Sequence, residues 1–322
     1  MKCLITGAAG FIGSHLVELC VNSDFQVRAF THYNSMTNWG WLEHLSCFRE
    51  VEIVSGDIRD YDSVYSAMKG CQTVFHLAAL IGIPYSYVSP LAYIRTNIEG
   101  TYNVLQSARE LELGNVIVTS TSEVYGTAQY VPIDESHPLV GQSPYSATKI
   151  GADQLALSYY KSFDLPVKIV RPFNTYGPRQ SARAVIPAII TQLLNGEDLK
   201  LGSTHPTRDL TYVKDAASAF VELCKTNEAV GQVTNVGMNS EISIGDLAVL
   251  IGKLTGRKTV INIDSQRIRP GLSEVERLRC DNARILATTA WRPKYHLEAG
   301  LNETIDWMKD NLTLYKHFQY NI

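Results

Sequence analysis

Tyr145 and Lys149 stand four residues apart in Tyr145-Ser146-Ala147-Thr148-Lys149, which on a helix puts both side chains on one face. A phenol beside an ammonium suits proton transfer. The lysine lowers the phenol pKa, and the tyrosine can then take a hydroxyl proton while hydride leaves the same carbon. Upstream runs Val118-Thr119-Ser120-Thr121-Ser122-Glu123-Val124-Tyr125-Gly126, the exit of an apolar segment. Thr121 could hydrogen-bond a reacting hydroxyl there, and Glu123 is an acid/base candidate. Tyr/Lys pairs also occur on solvated helix faces, so their meaning depends on what lies beside them.

What lies beside them is a nucleotide fingerprint. Gly7-Ala8-Ala9-Gly10-Phe11-Ile12-Gly13 follows the short β-rich run Lys2–Thr6 and opens the helical spacing of Phe11–Val21. Glycines so placed serve a tight turn, close approach of backbone to a pyrophosphate, and close helix–strand packing, with the helix N-terminus facing the phosphates. Gly7, Gly10, Phe11, Ile12 and Gly13 are therefore dinucleotide-binding candidates. The second strand usually ends in an acid that binds the adenosine ribose. Here it reads Arg28-Ala29-Phe30-Thr31-His32-Tyr33-Asn34-Ser35, with neither Asp nor Glu and no adjacent arginine pair for a 2′-phosphate. NAD is preferred and NADP stays open. Asp57 and Ile58 follow the third strand, where the carboxylate could accept from an adenine amino group; alternatively Asp57 belongs to a helix N-cap region. Leu77, Ala78 and Ala79 would wall the cofactor.

The elements that must hold these residues alternate. Strands are expected at Lys2–Thr6, Gln26–Phe30, Val51–Val54, Thr73–His76, Val116–Thr119 and Val167–Val170, with helices at Phe11–Val21, Asp60–Met68, Ala92–Leu111 and Tyr145–Phe163. Such alternation implies a parallel sheet covered on both faces. The pattern loosens after Pro172, with helices at Val185–Leu194, Ile244–Leu254 and Leu297–Met308 and short strands at Leu210–Val213 and Val233–Val236. The fold class is α/β: a Rossmann-type doubly wound parallel sheet with a smaller C-terminal α/β substrate lobe. Residues 1–175 form the dinucleotide-binding domain, 176–322 mainly the other lobe, and segments near 208–240 return to the first sheet.

Bulk properties exclude other classes. The chain has 322 residues and a net charge of −3, so no basic field exists to hold nucleic acid or an anionic membrane. No run is long and apolar enough to span a bilayer, and no secretory signal is visible. The six cysteines, at 3, 20, 47, 71, 224 and 280, form neither a zinc knuckle nor a CxxC pair. They read as reduced, structural thiols, with no metal site, in a cytoplasmic protein.

Together the Gly7/Gly10/Gly13 turn, Thr121, Tyr145/Lys149, Arg171-Pro172-Phe173-Asn174, Gly177-Pro178-Arg179 and Arg208-Asp209 resemble the extended short-chain dehydrogenase/reductase family, whose members are nucleotide-sugar epimerases, dehydratases and decarboxylases. Thr121-Ser122-Glu123 is similar to the catalytic Thr-Ser-Glu of the GDP-mannose 4,6-dehydratases, where many other 4,6-dehydratases carry Thr-Asp-Glu. Arg269-Pro270, then Glu274-Val275-Glu276-Arg277-Leu278 and Asp281, resemble their C-terminal nucleotide-binding stretch. Trp39-Gly40-Trp41-Leu42, Ile83-Pro84-Tyr85-Ser86-Tyr87 and Gln142-Ser143-Pro144-Tyr145 are similar to the 4,6-dehydratases of legionaminic acid biosynthesis.

The resemblance implies a tightly bound NAD and GDP-N-acetylglucosamine as substrate, with the UDP-linked sugar second. It implies C4 oxidation assisted by Tyr145, loss of water across C5 and C6 with Glu123 as base and then acid, and return of hydride to C6. Thr121, Ser122, Glu123, Tyr145 and Lys149 form its catalytic set. Asn174, Arg179, Val185, Arg208 and Arg277 are its substrate-binding candidates. A homodimer paired through a four-helix bundle of Ala92–Leu111 and Tyr145–Phe163 is also implied. A 4-epimerase would use the same tyrosine and lysine without Glu123, and a non-catalytic dinucleotide sensor would need none of the three.

Overall fold

A computed structural model describes residues 1–315; residues 316–322 of the expected C-terminal lobe lie outside the described part. Seven parallel strands make the central sheet: β1 (Lys2–Thr6), β2 (Gln26–His32), β3 (Glu52–Gly56), β4 (Thr73–His76), β5 (Asn115–Thr119), β6 (Val167–Pro172) and, from much later in the chain, Val233–Val236. From one edge they run β3, β2, β1, β4, β5, β6 and then Val233–Val236. The β4 and β6 residues are buried throughout, including the polar Thr73, His76, Lys168 and Arg171, as expected of strands covered on both faces. Chain order reverses between β1 and β4, so the loops leaving their carboxyl ends diverge and open a crevice.

Helices α1 (Phe11–Val21), α2 (Tyr61–Met68), α3 (Ile83–Val88), α4 (Pro90–Tyr93), α5 (Gly100–Glu110) and α6 (Pro144–Phe163) interleave with these strands. The helix expected at Ala92–Leu111 runs unbroken from Pro90 to Glu110, but it passes through a π-helical turn at Ile94–Glu99. On α6, Tyr159 donates to Gln106 Oε1 of α5 (2.9 Å), and the Arg109 guanidinium lies 3.8 Å from the Phe163 ring centroid, so part of the apolar pattern of α6 is satisfied within the chain.

The chain continues beyond β6. It holds the strands β7 (Asn174–Tyr176), β8 (Leu199–Leu201), β9 (Thr207–Arg208) and β10 (Leu210–Tyr212), then the sheet strand just described, β11, then β12 (Ile242–Ser243) and β13 (Ile261–Ile263). Its helices are α7 (Val185–Leu194), α8 (Val213–Lys225), α9 (Ile244–Thr255), α10 (Ala283–Thr288) and α11 (Leu297–Asp310). The strand expected at Leu210–Val213 stops at Tyr212, because Val213 begins α8. Ala219, Phe220, Leu223 and Cys224 of α8 join Leu16, Val17 and Cys20 of α1 in the core on one face of the sheet. A separate core of Ile186, Ile189, Ile190, Leu247, Ile251, Leu301 and Ile305 holds α7, α9 and α11 together. No helix among the described residues is long and apolar enough to cross a membrane.

His15 on α1 ties the first helix to the chain beyond β6, its Nε2 donating to the Pro178 carbonyl at 3.1 Å. Burial first, then the charge of Arg179, pushes its pKa from 6.5 to about 4. The unfolded chain therefore takes up this proton before the folded chain does, and the stability His15 contributes above pH 6.5 is lost as pH falls toward 4. Asp209 acts with the opposite sign, since burial raises it to about 6. A His15→Gln variant removes only the first effect. Urea unfolding should show it losing about 3 kcal/mol less than the parent between pH ~7.5 and ~4. Parallel pH slopes would contradict the assignment.

Candidate active site

The glycine turn is built by close approach. Gly7 has φ +69°, and a Cβ there would lie 2.8 Å from the Ala78 nitrogen. On Gly13 a Cβ would lie 2.2 Å from the Gly7 oxygen. The strand, turn and helix can meet only because these side chains are missing. Gly10 caps α1 without a side-chain hydrogen bond, and the first turn holds no acid. The leading N–H groups of Phe11, Ile12 and Gly13 thus stay available to an anion with no carboxylate opposing it. The Trp41 N–H donates to the Ala9 carbonyl at 3.2 Å, laying the Trp39–Leu42 stretch along the same turn. This cradle fits the pyrophosphate of a dinucleotide.

At the adenosine end, Asn34 spends its side chain on Asn38, giving to its carbonyl (2.6 Å) and accepting from its N–H (3.1 Å). Asp57 is taken by Arg59: Oδ1 accepts from its N–H and its Nε, both at 2.9 Å, which holds the carboxyl down to about 2. The cap of α2 is Asp60, not Asp57. Ile58 is buried against Gly100 of α5. Leu77 and Ala78 pass under Gly7, with Ala79 next in the wall.

The catalytic candidates gather at the carboxyl ends of β5 and β6. Thr121 caps the short 3-10 helix Ser122–Tyr125, its Oγ1 accepting from the Glu123 N–H at 3.3 Å. That turn folds Ser122 to 1% exposure and Glu123 to 9%. Tyr145 lies in the first turn of α6, whose start is fixed by a reciprocal Ser143/Ser146 capping box with Pro144 following. The Lys149 ammonium donates to the Thr119 carbonyl at 2.6 Å.

Burial raises the Tyr145 phenol well above its ordinary range, and a hydrogen bond from Thr121 opposes the shift. Desolvation outweighs the depression of the phenol expected from Lys149, and the same burial lowers the pKa of Lys149 itself. Glu123 is close enough to add its charge to the upward shift of Tyr145.

Asn174 opens β7 with a buried Oδ1 that has no protein partner. Arg208 is buried, donating to the Thr207 carbonyl (2.9 Å) and Glu274 (3.3 Å); burial lowers its pKa while the nearby Glu123 carboxylate raises it. Two other candidates are engaged elsewhere. Arg179 pairs with Glu18 at 2.7 Å against α1, and Arg277, half-exposed, grips Glu241 at 2.5 and 3.0 Å. Val185 begins α7.

Residues that no motif indicated also line the site. Tyr93, fully buried, meets Tyr145 edge-on at 6.3 Å and donates to the Gly82 carbonyl. Arg183 lies beside Gly82 and Tyr93; Arg269, from the Arg269-Pro270 stretch already singled out in the sequence, shares Glu274 with Arg208. Tyr93 looked like one more apolar position of a helix, and Arg183 sits in a loop without pattern.

The model of the GDP-mannose 4,6 dehydratase family matches residues 4–304. A dTDP-glucose 4,6-dehydratase of Streptomyces antibioticus is 34% identical, over 97% of this chain and 93% of that protein. A UDP-N-acetyl-alpha-D-glucosaminuronate decarboxylase of Bacillus cytotoxicus is 33% identical, over 96% and 98%. Among solved structures, the dTDP-glucose 4,6-dehydratase of Bacillus anthracis in complex with NAD superposes with a TM-score of 0.88 at 28% identity, covering 99% of this chain and all of that one. Gly13→Ala should cost at least about tenfold in dinucleotide affinity by titration calorimetry, since the new methyl group meets the Gly7 carbonyl. Unchanged affinity would mean that this turn is not the cradle.

Proposed function

The chain belongs to the GDP-mannose 4,6 dehydratase family, and from that premise we propose that it converts GDP-N-acetylglucosamine to the 4-keto-6-deoxy sugar with tightly bound NAD. NAD, when bound in the glycine cradle, supplies the redox partner that oxidises C4 and later reduces C6. Tyr145 receives the C4 hydroxyl proton, and Thr121 orients that hydroxyl. The raised phenol pKa means that Tyr145 needs positive charge beside it to act as base, and Lys149, one helical turn away, is the group of this chain that brings it. Oxidation at C4 acidifies C5–H. Glu123 removes that proton and passes one to the departing C6 hydroxyl, with Ser122 next to it in the same short turn.

The observation that carries this reading is Glu123, buried between Tyr145 and Arg208. A carboxylate placed there suits removal of a carbon-bound proton, and a C4 epimerase has no proton for it to move. Arg208, with Arg269 beside it, is the cation we assign to the diphosphate, and Asn174 the group that meets the sugar or its phosphate. Arg277 and Arg179 would first have to leave Glu241 and Glu18. GDP and the N-acetyl group are favoured by the similarity of Arg269–Asp281 and Trp39–Leu42 to the dehydratases of legionaminic acid biosynthesis. We also assign the dinucleotide domain to residues 1–175 with β11 added. Ile94, Tyr102 and Phe163, exposed on the α4–α5 and α6 rods, are the surface for a homodimer.

Mass spectrometry of the product should show loss of one water from GDP-N-acetylglucosamine, faster than from UDP-N-acetylglucosamine or dTDP-glucose. A faster UDP or dTDP substrate would overturn the nucleotide assignment and keep the reaction. Glu123→Gln should lower kcat by about a hundredfold or more while dinucleotide and nucleotide-sugar affinities hold. Full activity in that variant would remove Glu123 from the mechanism.

A further inference from the structure

The crevice is crossed underneath by a buried chain of hydrogen bonds that the proposed reaction does not use. At one end, the Leu77 and Ala78 N–H groups both donate to Thr6 Oγ1 at 3.1 Å. Thr6 Oγ1 lies 2.8 Å from His76 Nδ1, and His76 Nε2 lies 3.0 Å from Thr101 Oγ1. Thr101 donates to the Asn97 carbonyl at 2.6 Å. The Asn97 side chain then clamps Leu80, accepting from its N–H (2.9 Å) and donating to its carbonyl (3.0 Å), and also donates to Thr148 Oγ1 (3.0 Å). Thr148 donates to the Tyr145 carbonyl at 2.7 Å.

Counting hydrogens fixes every direction in this chain. Thr6 Oγ1 accepts from the Ala78 N–H and shares the Leu77 N–H with the Thr6 carbonyl (3.2 Å), which leaves its one hydrogen for His76 Nδ1 once Nε2 carries the ring proton. The Thr101 hydrogen is committed to Asn97, so its oxygen accepts from His76, which must carry its proton on Nε2. A charged imidazole would leave the Thr6 hydrogen with no acceptor. Burial agrees, pushing the His76 pKa down to about 3.

We propose that His76 is a positioning residue: held between Thr6 and Thr101, it sets the spacing between the glycine turn with its Leu77–Leu80 wall and the turn of α6 that carries Tyr145. Its catalytic consequence rests on the proposed function above; its consequence for dinucleotide binding does not. The π-helical turn at Ile94–Glu99 has a place in this account, since Asn97 lies within it and meets Leu80 and Thr148 from there.

The test compares the parent with His76→Phe, which keeps a ring and loses both nitrogens, and with Thr101→Val, an isosteric change that breaks the same chain and keeps the fold if the first does not. Dinucleotide affinity and kcat should each fall about tenfold, with KM for the nucleotide sugar unchanged, and His76→Gln, which can still donate to Thr101, should recover part of the loss. A merely structural histidine would lower the melting temperature and leave dinucleotide affinity and kcat of the folded variants at the parent values, and that result overturns the proposal. Ring nitrogen NMR of the parent should find Nδ1 bare and Nε2 protonated; a proton on Nδ1 also overturns it. A parent without dehydratase activity would sink the functional reading alone, because dinucleotide affinity and the ring tautomer still decide the role of His76.

Discussion

Gly7 and Ala78 leave the two central strands so close together that a single methyl group between them would collide with backbone. The rest of the site follows from that approach. It forces the chain after β1 to turn at a left-handed residue, which brings the N-terminus of α1 over the carboxyl edge of the sheet. It also holds Leu77 and Ala78 against the turn, and the two loops bound a crevice at the reversal of strand order. One side of that crevice offers uncapped N–H groups to an anion. The other side receives the ends of β5 and β6 with Thr121, Glu123, Tyr145 and Asn174.

Around Tyr145, Lys149 and Arg208 desolvation governs. Tyr145 and Lys149 are both pushed toward their neutral forms, and Arg208 is shifted in the same sense. The chain answers with fixed charges behind them. Asp153, one turn after Lys149 on α6, favours the charged lysine. Asp153 is itself fully buried, accepting from Ser120 at 2.7 Å and from Arg171 Nε and Nη2 at 3.0 and 2.9 Å. Arg171 also reaches the Tyr125 hydroxyl at 2.9 Å, and Tyr125 donates to Asn235 on β11. Removing one member of such a buried pair typically costs about 3–5 kcal/mol. The last strand of the sheet, far along the chain, is thereby tied to the turn that presents Glu123.

How much of this could be read beforehand depended on whether a residue's role was local. The glycine turn, the span of α1 and the Tyr145/Lys149 face follow from spacing within a dozen residues, and the structure has them where spacing put them. Helix α8 was missed: Val213, Ala216, Ala217, Phe220, Val221 and Cys224 stand at helical intervals, but the apolar run at Leu210–Val213 reads as a strand and masks the start of the helix. Non-local roles were hidden. Arg277 matches a nucleotide-binding stretch, but its carboxylate partner Glu241 lies 36 residues away. His76 and Asn97 look like polar interruptions in apolar segments, and only the packed sheet shows which hydroxyls and carbonyls they satisfy. The phenol pKa of Tyr145 turned on burial, which neighbouring residues in the sequence do not reveal.

The central claim is that a carbon-bound proton at C5 is removed and replaced within the site. Running the reaction in heavy water and locating deuterium in the product by NMR tests it most directly. The account predicts one deuteron at C5 of a 4-keto-6-deoxy sugar. A product of unchanged formula, inverted at C4 and free of deuterium, would contradict it and leave Glu123 without the role assigned to it.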